Sequence, residues 1–481
     1  MPKKTQRGER SAESQRRVKR LAAVVRREVH ARLGPNSTFE QRRDAAVEVM
    51  SEVMWNDADG DLQGLVTDDE EVEVDGRRYR RLDQPSSATY YGRWGPHAVE
   101  ERLYREVGVH NGQTIKPIEL RVGIVEHMTP DMARVTGELS ADDSSRAVEK
   151  ILRVVGLVPP SRAFIADRIT ALGAAVADDV AKLEEAAREA ENMPDHVASV
   201  SCGLDRMSVR MSEPADPDQA KEIPHRRSKP YLRTPPPPKE PHYRKAWVGS
   251  TTVYDVAGKA LHTWRYGVEA DADPEKLADR VAADVAWILS AHPDVPLHCI
   301  QDAAPELRAL PEALARRLPE SVKPIELIDY EHLMGYLDKV VDKCEPEGDP
   351  CNMKLWYRDE LLRDDGAIDR IWRSLCRKAK LLPGRHTKAR KAVAAALSYI
   401  RKRKNKMRYA SHYEANLPIG SGATESTCWQ MQQRVKLPGQ SWETRGLRAT
   451  LAIRGLVLSH RWDTAWPPYA TKYRKEVRIA A

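Results

Sequence analysis

Apolar and polar residues follow two different periods along this chain, and each change of period marks an element. Over residues 70–82, EEVEVDGRRYRRL, they alternate around Asp75–Gly76, the pattern of a β-hairpin. From residue 140 the period lengthens. Val148, Ile151, Leu152 and Val155 make one helical stripe, Gly156 and Pro159–Pro160 break the run, and an Ala- and acid-rich helix leads on to residue 192. The helices around that break fit a helix–turn–helix reader of DNA and an ordinary core hairpin alike.

After Asp195 the pattern turns to strands. HVASVSCGLDRMSVRM (196–211) is β-prone on both sides of Asp205, and residues 247–267 read as a hairpin turning near Ala257–Gly258. Between them, residues 212–245 are too rich in proline and basic side chains for helix or central strand. Asp273–Pro274 opens a helix with Leu277, Val281, Val285 and Ile288 on one side. A short strand, VPLHCIQD, ends at Asp302, a helix runs through ELRALPEALARRL, and the strand KPIELID ends at Asp329. This succession predicts an α/β layer arrangement. Residues 333–415 are helical in pattern and interrupt it, and helices over about 423–436 and 442–460 close the chain.

Five regions follow: a basic, mixed segment (1–139), the helix–turn–helix-like pair with its linker helix (140–194), the first part of the α/β core (195–332), the helical insertion (333–415), and the last part of the core with a basic tail (416–481). A chain of 481 residues with 41% hydrophobic side chains is long and apolar enough for roughly three packed domains.

Charge changes this picture only where it gathers. The net +7 is small, but basic residues cluster in 1–32, in 401–408 and in 472–478, and three such runs suit a polyanion partner. The six cysteines (Cys202, Cys299, Cys344, Cys351, Cys376 and Cys428) form no C-x-x-C pair and match neither a zinc site nor a compact disulfide framework. No signal-peptide pattern and no apolar run of membrane-spanning length is present, so the expectation is a soluble, cytoplasmic protein with no membrane partner.

Three acids stand out. Asp205 interrupts a β-prone run, where a buried carboxylate needs a basic partner, hydrogen bonds or a metal. Asp302 closes an apolar strand, a place where open α/β sheets present ligand groups and where an aspartate also serves as a turn residue or helix cap. Glu425 follows GSGAT and starts a helix on which Glu425, Trp429, Gln432 and Lys436 share a face. The small residues let another backbone or a phosphodiester come close, while the plain alternative is a flexible turn and a first-turn acid favoured by the helix dipole. On that face Trp429 fits core packing better than base stacking.

The blocks VASVSCGLDRMSVRMSEP, VGSTTVYDVAGKALHTWRYG, CIQDAAPEL, LIDYEHL, LPIGSGATES and LRATLAIRGLVLSHRWD, in that order, resemble the ISKra-type family of bacterial insertion-sequence transposases over most of residues 196–466. The resemblance implies an RNase H-like mixed-sheet core interrupted by an all-helical insertion, with a mainly helical N-terminal DNA-binding region. It also implies a nucleoid-associated enzyme that cuts element ends and transfers them to target DNA as a homo-oligomer. The metal-binding triad it implies falls on Asp205, Asp302 and Glu425, which would hold two Mg²⁺ or Mn²⁺ ions. Asp329 and His332, in DYEH, resemble a D-x-x-H element and are a further metal contact or a helix cap with a surface histidine. Arg434 and Lys436 are expected to hold phosphates. The alternatives are a silent, transposase-derived DNA-binding regulator and a structure-specific nuclease on the same fold.

Overall fold

The alternation at 70–82 resolves into β1 (Glu71–Val74) and β2 (Arg77–Gly92), joined through Asp75 and Gly76, whose φ values of 51° and 76° are those a two-residue hairpin turn demands. The computed structural model describes residues 12–212, 242–270, 272–302, 304–344, 350–382, 384 and 387–479. Most of the expected Pro-rich loop, 213–241, and the first eleven residues of the basic N-terminal run lie outside the described residues. The protein is mixed α/β and divides into two units, Met1–Leu172 with Pro467–Ala481, and Gly173–Trp466.

The first unit begins with two helices, α1 (Ala12–Arg32) and α2 (Phe39–Gly64); a Thr38–Gln41 capping box starts the second. β3 (Gly95–Glu106), β4 (Thr114–Ile115) and β10 (Val477–Ile479) complete an antiparallel sheet of order β10-β1-β2-β3-β4. The region expected to be mainly helical is therefore mixed, and the end of the chain, expected with the core, pairs with β1 instead. Short helices α3 (Pro117–Val122), α4 (Pro130–Asp142) and α5 (Ser145–Val154) follow. The chain then turns at Gly156 into α6 (Arg162–Ala190), one helix of 29 residues that absorbs the expected linker helix. Gly173 does not break it, because the missing side chain is what lets Ala449 approach: a Cβ there would lie 2.7 Å from that of Ala449.

The second unit is built on β5 (Ser199–Met211), β6 (His242–Tyr254), β7 (Ala260–Val268), β8 (Leu297–Gln301) and β9 (Ile325–Ile328), in the order β7-β6-β5-β8-β9. β5, β6 and β7 run antiparallel to one another, whereas β8 and β9 run parallel to β5. Alternation along β5 sorts its side chains. Val200, Cys202 and Leu204 pack with Leu277, Val281 and Val285 of α7 (Pro274–Ala291) and with α8 (Ala309–Arg317). Met207, Val209 and Met211 meet Met431 of α14 (Gly422–Val435) and Leu447 and Leu451 of α15 (Thr444–Leu458).

Between β9 and α14 the chain forms α9 (Tyr330–Cys344), α10 (Pro350–Arg363), α11 (Ala367–Leu381), α12 (Lys388–Arg401) and α13 (Ala410–Glu414). These helices enclose a core of their own around Leu333, Leu337, Leu361, Ile368, Ile371, Val393 and Ile400. A last helix, α16 (Trp462–Thr471), leads towards β10. A buried charge network fastens α6 to the core. Arg461 bonds Asp284 and Glu191, and Arg280 forms a bidentate pair with Glu184. Among the described residues no helix is long and apolar enough to cross a membrane.

Candidate active site

Parallel pairing places Val200 opposite Leu297 and Cys202 opposite Cys299, and on the next strand His298 opposite Ile325 and Gln301 opposite Ile328. Carried forward, the same register puts Asp205, Asp302 and Asp329 in one row at the carboxyl ends of β5, β8 and β9, at the strand spacing of about 4.8 Å. The Asp329 N–H still donates to the Gln301 carbonyl at 3.3 Å, so the pairing of β8 and β9 runs up to this row. Gly203, two residues before Asp205, permits the crowding: a side chain there would strike the Ile300 carbonyl and the Thr424 hydroxyl.

Thr424 also fixes the helix that faces the row. Its hydroxyl and that of Ser250 on β6 are hydrogen-bonded at 2.7 Å, which pins the first turn of α14 to the sheet and sets Glu425 beside the strand ends. Glu425 Oε1 accepts from the Ser421 hydroxyl at 3.4 Å and lies 3.8 Å from His332 Nδ1. His332 Nδ1 is in turn 3.4 Å from Asp329 Oδ1. Ligand atoms of Asp329, His332 and Glu425 all lie within 4.8 Å of one another.

Asp329 does two things at once. Its Oδ1 accepts from the His332 backbone N–H at 2.6 Å, capping α9, and its Oδ2 accepts from the Ser421 N–H. It therefore ties the start of the insertion to the turn that launches α14. Asp205 Oδ1 accepts from the Arg206 N–H at 2.6 Å, and Tyr399, from α12, donates its hydroxyl to Asp302 Oδ1 at 3.2 Å.

The electrostatics follow from this crowding. Burial raises the pKa of Asp205, opposed by the Arg206 N–H and the His332 charge and reinforced by Asp302. Burial also raises that of Glu425, with Asp329 adding to the effect. Burial alone would raise Asp329, yet hydrogen bonds from His332 and Ser421 prevail and hold it down at about 2. The hydrogen bond to Asp329 lifts His332 to about 9; burial opposes this, and the charges of Asp302, Asp329 and Glu425 add to the rise. Four carboxylates with one imidazole in a half-exposed cluster make a site for positive charge. Oxygen donors predominate, which fits Mg²⁺ or Mn²⁺, and the imidazole is the one softer donor.

No family model matches this chain, and no curated protein matches it.

Basic side chains line the ground beside Asp302. A cleft of about 170 Å³ is walled by Asp302, Arg308, Lys402, Arg403 and Lys406, and an open groove of about 410 Å³ shares Asp302 and Arg403 and adds Tyr336 and Tyr399. The expected phosphate-binding pair is placed differently. Arg434 is buried with its guanidinium 5.1 Å from the Trp442 ring centre, whereas Lys436 is exposed and donates to Gln432 Oε1. Trp429, expected to pack in the core, is 62% exposed one turn beyond Glu425. Tyr399, Gly203 and the Ser421 amide were not anticipated. Of these, only Gly203 left a trace in the sequence, a glycine inside a strand, which marks close backbone approach.

Proposed function

We propose that this chain is a DNA transposase of the ISKra type, cutting at the ends of an insertion sequence and joining the freed ends to target DNA. The observation that carries the reading is the meeting of Asp205 and Asp302 in one row with Glu425 facing them, three acids spread over 221 positions of sequence. The strand order, three antiparallel strands followed by two parallel ones and interrupted by helices before α14, supports an RNase H-like core. The half-exposed setting suits a polymer better than a small molecule enclosed in a pocket.

In this reading Asp205, Asp302 and Glu425 hold two Mg²⁺ or Mn²⁺ ions, with Asp329 and His332 at the edge of the same cluster. When bound, such ions supply charge to the attacking and leaving oxygens of an in-line displacement at phosphorus. Tyr399 orients Asp302 through its hydrogen bond, and Asp329 holds the Ser421 turn and with it the start of the helix carrying Glu425. Lys402, Arg403 and Lys406 lie where a phosphate backbone would pass, and Trp429 offers a face for an unpaired base.

The test is incubation of purified protein with end-containing duplex DNA and Mg²⁺. Joined products support the transposase, cutting without joining would assign a nuclease, and binding alone a regulator. Asp302→Asn should abolish cutting and leave DNA affinity within a few-fold; cutting at the native rate would remove Asp302 from the site.

A further inference from the structure

Far from the acids in sequence, α1 and α2 leave a surface that their own packing does not use. They are 21 and 26 residues long, yet the cluster between them consists of Val29, Ala45 and Val49, with Val25, Leu33 and Ala46 partly covered. Helices gain most of their stability from burying an apolar stripe against a partner, and this cluster covers little of the stripe. Alongside it runs a groove of about 680 Å³ whose lining includes Val18, Leu21, Phe39 and Met50. Leu21 is 66% and Phe39 70% exposed, and Val24, Val47 and Val53 extend the same apolar surface.

The charges on the two helices are opposite and equal. α1 carries seven Lys and Arg against two Glu, a net +5; α2 carries two Arg against seven acids, a net −5. Among the described residues the ion pair that joins them is Arg32–Glu52. Arg16, Arg20 and Arg27 on one helix and Asp44 and Glu48 on the other are therefore available to a second surface with the reverse arrangement of charge.

We propose that this face docks the same helical pair of a second copy of the chain. The two pairs are related by a two-fold axis, so that the basic α1 of each lies along the acidic α2 of the other. A face that is apolar along its floor, +5 on one side and −5 on the other is its own complement under such an axis, and an isologous contact requires just that. Two other occupants fit less well. The eleven residues that precede α1, MPKKTQRGERS, offer Met1 as their one large apolar side chain and cannot fill the groove. A nucleic acid would match α1 but be repelled by α2, and its phosphates would leave Leu21 and Phe39 uncovered. The inference does not depend on the function of the acidic site.

Sedimentation velocity of the full chain at micromolar concentration, without DNA, should show a dimer. The double variant Leu21→Glu, Phe39→Glu changes exposed side chains, so far-UV circular dichroism and melting should match the native protein while the dimer dissociation constant rises at least about 100-fold. Arg16→Glu with Arg20→Glu should weaken the dimer at low salt, with the difference from the native protein shrinking as salt rises. A native chain that sediments as a monomer overturns the proposal, as does a dimer that survives both double variants. So does association that appears only on adding DNA and is lost in Arg16→Gln, Arg20→Gln, which would assign α1 to nucleic acid.

Discussion

Replacing Gly203 by alanine would put a methyl group between two strands and a helix. Its Cβ would lie 2.6 Å from the Thr424 hydroxyl oxygen and closer still to the Ile300 carbonyl. Ordinary contact needs about 3.5 Å, so the neighbours must give way by roughly 1 Å, and one of them is backbone. Overpacking of this kind costs about 1–3 kcal/mol. The displacement falls where it matters most, because Ile300 leads into Asp302 and Thr424 precedes Glu425. A shift near 1 Å among reacting groups lowers a rate by about 100-fold. Urea unfolding followed by tryptophan fluorescence should therefore show a loss of ~1–3 kcal/mol. Mg²⁺-dependent cutting by the still-folded variant should fall by about two orders of magnitude. Gly422→Ala is the control. Nothing lies within 4 Å of its added Cβ, so stability should hold or rise by up to ~1 kcal/mol. A Gly203→Ala protein with native stability and native cutting would refute the crowded-strand account of how the acids are held.

Tyr399→Phe removes the donor to Asp302, and at about 1.5 kcal/mol for a hydrogen bond to a charged group cutting should slow roughly tenfold, with DNA affinity kept. An unchanged single-turnover rate would mean that the hydroxyl does not orient the acid. His332, raised from 6.5 to about 9, stabilises the metal-free fold most fully below pH 6.5 and loses that contribution as pH climbs through 9. Urea midpoints in EDTA should accordingly separate native from His332→Gln near pH 6 and converge above pH 9, whereas a pH-independent gap would contradict the pairing with Asp329. Trp429→Ala should weaken binding to single-stranded or frayed ends by about 1–3 kcal/mol in a fluorescence titration and leave melting unaffected, since the ring is 62% exposed. Equal affinity for frayed ends would exclude stacking.

Much of the second unit could be read from local pattern. Which face of a strand or helix is buried is written in its own residues, so β5, the β6–β7 hairpin, α7, β8, β9 and the helical insertion follow from periodicity and from Gly and Pro at their ends. The residue types of the site were legible for a related reason: an acid in an apolar strand or after a run of small residues conflicts with its surroundings, and the conflict shows without a structure. The length of α6 was not, because Gly173 looks like a breaker until Ala449 is seen packed against it. Nor was the fate of the chain's end, since β10 chooses β1 through a pairing across some 400 positions.

The sequence alone thus determined the elements, the carboxylates and the basic runs, all of which depend on near neighbours. Only the tertiary structure decided what those residues face. It buried Arg434 against Trp442, turned Trp429 outward, brought Tyr399 from the insertion to Asp302, and gave Asp329 its two backbone donors. The physical reason is that strand register and helix docking are selected by the summed packing of distant segments. A shift of one residue in β8 would turn Asp302 to the opposite face while leaving every local pattern unchanged.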